Sequence, residues 1–124
     1  MNVEISIGEF VDKISILKIK KERITDQGKL NNVLKEYEYL IQLADDNKLD
    51  ILDSPFFLEL TEANLIIWDG EELLREKQRS EQYDSDFIDI ANRIHSTNDI
   101  RAQIKKEINL KFNSNFVEEK SHQK

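Results

Sequence analysis

The chain of 124 residues contains no cysteine, one proline, three glycines and two histidines. Without cysteine it has no thiol nucleophile, disulfide, zinc knuckle or iron–sulfur ligand. His95 and His122 are too few for a multi-histidine metal site within one chain. No apolar run approaches the roughly 18 residues of a membrane span, and no signal peptide opens the chain. We therefore expect a cytoplasmic protein with no membrane partner.

Charged residues, by contrast, are abundant and unevenly distributed. They make up 35% of the chain and give a net charge of −7, and residues 31–90 hold five basic and sixteen acidic side chains. An acidic chain repels the phosphates of nucleic acids, so we expect no nucleic-acid partner. The length is that of one domain, and the 39% of hydrophobic residues suffices for one core. The sequence therefore predicts a single acidic domain over residues 1–124.

Apolar residues recur with a helical period of 3.6 in several segments separated by polar links. Ser6 and Glu9 form a capping box before the first segment, and Ser54 and Pro55 supply the N-cap and first residue of the third. The predicted helices cover about 7–24, 29–45, 55–79 and 85–112.

Two positions interrupt this pattern. Ser96–Asp99 favour helix caps, but the apolar phase continues across them, so we predict one continuous fourth helix. Gly70, inside the third helix, predicts a packing contact too close for a Cβ atom. The predicted fold is an all-α antiparallel four-helix bundle with a short N-terminal extended segment and a polar C-terminal tail (113–124).

The first helix is apolar on two sides. Ile16 and Ile19 lie nearly opposite its main apolar stripe. Such a helix is either central in its own fold or shared with a partner. We favour the second alternative, which predicts a homodimer formed through these two residues.

Polar residues on helices three and four form the most informative pattern. At 100° per residue, the polar residues of helix three border its apolar stripe, and those of helix four lie near the centre of its buried face. The set comprises Asn64, Trp68, Glu71 and Arg75 on helix three, and Asn98 and Arg101 on helix four.

An arginine directed into a bundle needs an anionic partner, and Glu71 and Glu72 are the natural candidates for Arg101. One interpretation is a pocket in which Arg75 and Arg101 hold an anionic ligand. The other is an internal network that fixes the register of the helices, and it is the more common use of such residues.

Two carboxylate pairs have the spacing of a magnesium site. Glu59 and Glu62 on helix three, and Asp86 and Asp89 on helix four, are each three residues apart. All-α nucleoside triphosphate pyrophosphohydrolases bind Mg²⁺ with paired acidic motifs of this kind, although that family has glutamate where this chain has Asp86. In a chain with 25 acidic residues such spacing arises easily by chance, so we predict no metal and no cofactor.

The opening SIGEFVDKISILKIKKERITD (residues 6–26) resembles an uncharacterised bacterial family, domain of unknown function number 6165. Later segments resemble it as well, while the chain departs from its pattern at Phe10, Gly70 and His122. The later matching residues are Asn64, Trp68, Glu71, Arg75, Lys77, Thr97–Asp99, Arg101–Ala102, Lys105, Ile108–Asn109 and Val117–Ser121. The resemblance implies no activity.

These patterns favour a non-enzymatic accessory domain that binds a protein partner or itself, because no convincing catalytic set is present. The alternative is a binder or enzyme for a phosphorylated or carboxylated small molecule at the Arg/Glu/Asn/Trp cluster. A magnesium-dependent pyrophosphohydrolase is the third hypothesis.

Overall fold

The computed structural model describes residues 1–50 and 52–112. It contains four α-helices and, within those residues, no strand, so the predicted all-α four-helix arrangement is confirmed. Residues 1–6 precede the first helix, and the predicted tail, residues 113–124, lies outside the described residues. No helix in the described part is long and apolar enough to cross a membrane. The helices are α1 (Ile7–Arg23), α2 (Gln27–Asp46), α3 (Pro55–Arg79) and α4 (Ser85–Lys111).

Side-chain caps set where α1 and α2 begin. The Ser6 hydroxyl accepts a hydrogen bond from the Glu9 amide at 3.0 Å, which is the first half of the predicted capping box. The Glu9 carboxylate binds α4 instead of completing the box. Asp26 accepts from the Lys29 amide at 2.9 Å, so α2 begins at Gln27, two residues before the predicted start.

A short turn joins α3 to the antiparallel α4. Asp84 caps α4 by accepting from the Phe87 amide at 3.0 Å, and Lys77 donates to the same carboxylate at 3.2 Å. The amide bond and then the lysine hold the pKa of Asp84 below its ordinary value. The cap is therefore fully present above the ordinary aspartate pKa and is lost as the pH falls through the lowered one.

The centre of the fold is α1, which packs against each of the other three helices. In the described residues, α2 makes its close backbone contacts with α1 alone, whereas α3 and α4 also pack against each other. This arrangement explains the two apolar sides of α1. The buried core cluster comprises Val11, Ile14, Leu17, Leu40, Phe57, Leu60, Ile104 and Ile108.

The residues predicted to pair two chains lie largely inside this one. Ile19 is only 2% exposed, and Ile16 is half-buried. Of the two alternatives for a helix with two apolar sides, the central position accounts for the pattern. Because other helices of the same chain cover Ile19, this side chain has almost no surface for a second copy.

The fourth helix is continuous through Ser96–Asp99, as the apolar phase predicts. Thr97 is buried, and the Asn98 side chain accepts a hydrogen bond from Arg101 at 3.4 Å. Thr97 and Asn98 thus face the bundle, whereas Ser96 and Asp99 are exposed, and the helix backbone is continuous through all four.

Two glycines permit close helix contacts. A Cβ on Gly70 would lie 2.9 Å from Cγ1 of Ile94, as its place inside α3 predicts. A Cβ on Gly8 would lie 2.5 Å from the backbone oxygen of Lys105. The second contact is the more restrictive, because backbone cannot rotate away as a side chain can.

Gly8→Ala is expected to lower the free energy of unfolding by about 1–3 kcal/mol, because α1 and α4 must separate to admit the methyl group. Gly28→Ala is the matched control, since its Cβ would be 3.5 Å from Asp26 Oδ1, an ordinary contact, and alanine favours the helix by about 0.5–1 kcal/mol. Urea unfolding measures both. Equal stability of Gly8→Ala and wild type would contradict the close approach of α1 and α4.

Candidate functional site

A buried carboxylate on α1 organises the polar interior. Asp12 is 1% exposed, and both of its oxygens accept from the guanidinium of Arg101 on α4. The bond from Arg101 Nε to Oδ1 measures 2.9 Å, and Nη2 donates to Oδ2. Such a bidentate pair fixes direction as well as distance. It therefore sets the position of α1 along α4.

The third helix joins the same carboxylate through Asn64. Its side-chain nitrogen donates to Asp12 Oδ1 at 2.9 Å and to the Ser15 hydroxyl at 2.7 Å. Ser15 in turn donates to the backbone oxygen of Asp12 at 2.6 Å. Both amide protons of the buried Asn64 are thus used, so α3 is held to α1 at one level.

A second ion pair lies one turn further along α4. Lys105 donates to the Glu9 carboxylate at 2.6 Å, and its nitrogen is 4.0 Å from Asp12 Oδ2. The side chain of Lys105 is 9% exposed. Two cations, Arg101 and Lys105, therefore face two carboxylates, and the formal charges of this cluster cancel.

Close to this pair, Asn109 connects α4 to the start of α1. Its side-chain oxygen accepts from the Gly8 amide at 2.6 Å, which satisfies a donor that the first turn of a helix leaves unpaired. Its side-chain nitrogen is buried with no hydrogen-bond partner, unlike the other buried side-chain polar atoms of the described residues. A buried unsatisfied donor costs about 1–3 kcal/mol.

The structure brings together half of the polar set predicted from the sequence. Asn64, Asn98 and Arg101 join the buried network, but the predicted partners of Arg101, Glu71 and Glu72, do not. That prediction was wrong. The glutamates lie about two turns beyond Asn64 on α3, close to Asp69, which pairs with Arg23 at the end of α1.

The other half of the set lies at the surface. Trp68 is half-buried and donates to Glu72 at 3.1 Å, and Arg75 lies 3.6 Å from Glu71 in an exposed pair within α3. Both of these contacts are made along one helix, whereas Arg101 bonds to Asp12 on α1. The expected pocket with two arginines is therefore divided into an interior pair and a surface pair.

Sequence reasoning missed Asp12 as the partner. Gly8, Asp12, Ser15 and Ile19 are spaced by four, three and four residues, and all four are buried. This spacing defines the stripe of α1 that meets α3 and α4. The signal that could have located the network is that Gly8, Asp12 and Ser15 share one side of the helix with the apolar Ile19.

The two carboxylate pairs do not come together. Glu59 and Glu62 lie near the start of α3 and Asp86 and Asp89 near the start of α4, and all four are exposed. The starts of antiparallel neighbours are at opposite ends, so at ~1.5 Å per residue the pairs are separated by over 10 Å. Within residues 1–50 and 52–112, no three histidine or acidic side chains are grouped so that they could hold a metal ion.

Arg101→Met is expected to reduce the free energy of unfolding by about 3–5 kcal/mol, because it leaves the Asp12 carboxylate buried without its main partner. Arg75→Met, the same change in the exposed pair with Glu71, is expected to alter stability by less than about 0.5 kcal/mol. Chemical unfolding of both variants tests this. An Arg101→Met protein as stable as wild type would sink the structural role.

One comparison with known proteins covers the whole chain. A family model described as a family of unknown function, DUF6165, matches residues 1–124. No curated protein and no solved structure matches the chain. The resemblance seen in the opening segment, in the Asn64–Arg75 region and around Arg101 is thereby confirmed, and the chain belongs to the DUF6165 family.

Proposed function

We propose that this chain is a cytosolic accessory domain without catalytic activity that binds proteins and associates with itself. The observation that carries the proposal is the hairpin arm, residues 65–93, formed by the distal parts of α3 and α4 and their turn. Not one residue of the hairpin arm is buried, although many of its side chains are apolar.

The hairpin arm exposes large hydrophobic side chains on more than one side. Leu73, Tyr83 and Ile88 are 48%, 63% and 58% exposed, and Phe87 and Ile90 are half-buried. Two paired helices bury only the seam between them, so apolar residues beyond that seam stay in water. Covering apolar surface yields roughly 25 cal/mol per Å², which favours association of this region with another protein surface.

The interior network supports an architectural role in preference to an anion site. Arg101 and Lys105 are engaged by Asp12 and Glu9, and the four charges cancel. An anionic ligand at this position would have to displace a buried carboxylate from its bidentate partner. The alternative, a phosphorylated or carboxylated small molecule held by Arg75 and Arg101 together, has less support because these residues lie in separate groups.

Sedimentation velocity from micromolar to near-millimolar concentration tests self-association. We expect a reversible dimer for wild type and loss of the dimer in Leu73→Glu/Ile88→Glu, which places charge on the hairpin arm. Leu110→Glu, at an exposed leucine outside the arm, is the control and should associate as wild type does. A wild-type protein that stays monomeric throughout this range would contradict self-association.

Thermal denaturation in the presence of phosphorylated and carboxylated metabolites tests the alternative. The proposal expects no shift in the melting temperature for any compound. A stabilisation that disappears in Arg75→Met would favour the small-molecule function, because that substitution leaves the interior network intact.

A further inference from the structure

A groove lies between α3 and α4 of the hairpin arm and reaches Ile94, the first residue beyond the arm. Ile66, Gly70 and Leu73 of α3 line it together with Ile90 and Ile94 of α4, and it holds about 170 Å³. Gly70 contributes no side chain, so the groove floor is the α3 backbone and the Ile94 side chain. At 100° per residue, Ile66 and Leu73 lie about 160–180° from Asn64, which faces α1.

Opposite charges border this groove. Asp69 on α3 and Arg93 on α4 both line it, at the same level along the hairpin as Gly70 and Ile94. The Asp69 side chain is 53% exposed and accepts from Arg23 at 2.8 Å. A carboxylate offers about four lone-pair sites, so Asp69 has capacity for a second donor.

Resting on the proposed function, we infer that the occupant of this groove is a second copy of the chain, packed groove to groove about a two-fold axis parallel to the hairpin arm. Rotation about such an axis preserves the level along the arm and exchanges its two helices. Each α3 therefore lies on the antiparallel α4 of the other copy. Arg93 of each copy then faces the partner's Asp69.

Charge selects this axis over the other two-fold arrangement. An axis across the hairpin at the level of the groove would place α3 on α3 and bring Asp69 to the level of the partner's Asp69. Like charges that face each other across an interface destabilise it. The axis along the arm instead forms two attractive pairs, each between Arg93 of one copy and Asp69 of the other. The apolar groove residues are brought together at the centre, with the charged pairs at the rim, as in stable interfaces.

The available area is that of a weak, reversible interface. Residues 65–79 of α3 belong to the hairpin arm, so at ~1.5 Å per residue its face is about 22 Å long and, with two helices side by side, about 20 Å wide. This corresponds to about 450 Å² per copy, within the range of weak or transient interfaces, which bury less than about 1,200 Å² in total. Leu73 supplies an exposed apolar side chain on this face.

Charge reversal and mixing test the geometry by sedimentation velocity. Arg93→Asp alone should weaken the dimer at least about tenfold, because each pair becomes two facing carboxylates. Asp69→Arg alone should weaken it similarly. An equimolar mixture of the two variants should recover the dimer, because every pair in the mixed dimer is again of opposite charge.

Two controls separate this effect from changes within one chain. Arg75→Asp makes the same charge change on the hairpin arm outside the groove and should leave the dimer intact. Arg23→Gln removes the intrachain partner of Asp69 and should also leave it intact. Circular dichroism melting of each variant establishes that the monomers are folded.

Recovery in the mixture, absent from each variant alone, supports the inferred axis. Association of Arg93→Asp as strong as wild type, or a mixture no more associated than its components, overturns it while leaving self-association in place. A monomeric wild type removes the proposed self-association and this inference together, and leaves the groove to a different protein.

Discussion

The bond between Asp12 and Arg101 is the constraint on which the arrangement of the helices depends. Removing a carboxylate from water costs several kcal/mol unless it is paired and hydrogen-bonded. Asp12 meets this requirement only where Arg101 of α4 and Asn64 of α3 reach it together. Sliding α1 by one turn would break both contacts. Hydrophobic burial drives α1 to the centre, but the polar contacts select one register there.

Close packing reinforces this register at the beginning of α1. The Gly8 amide donates to Asn109, and the absence of a side chain at Gly8 lets α4 approach to contact distance. Glu9 leaves the capping box and pairs with Lys105. Local helix capping and tertiary packing compete for the same residue, and packing wins because it satisfies a lysine that is nearly buried.

The molecule thus directs its charge pairs inward at the base and its apolar side chains outward along the hairpin arm. A neutral, internally paired network suits a scaffold, whereas a catalytic or anion-binding site needs polar groups available to a ligand. The hairpin arm, by contrast, exposes apolar side chains, and covering them with another protein surface would lower the free energy. These two properties are the basis of the association proposed above for this DUF6165 chain.

The sequence by itself determined what depends on neighbours within a few residues. Apolar periodicity and caps such as Ser6 predicted the helices, the continuous α4 and the all-α class, and helical spacing placed Arg101 on a buried face. Only the tertiary structure decided that its partner is Asp12 and not Glu71, and that α1 is the central helix. Helical periodicity specifies which face of a helix is buried, but not the level at which a neighbouring helix crosses it. That level is set by desolvation and packing among side chains distant in the chain, and these energies exist only once the helices have met.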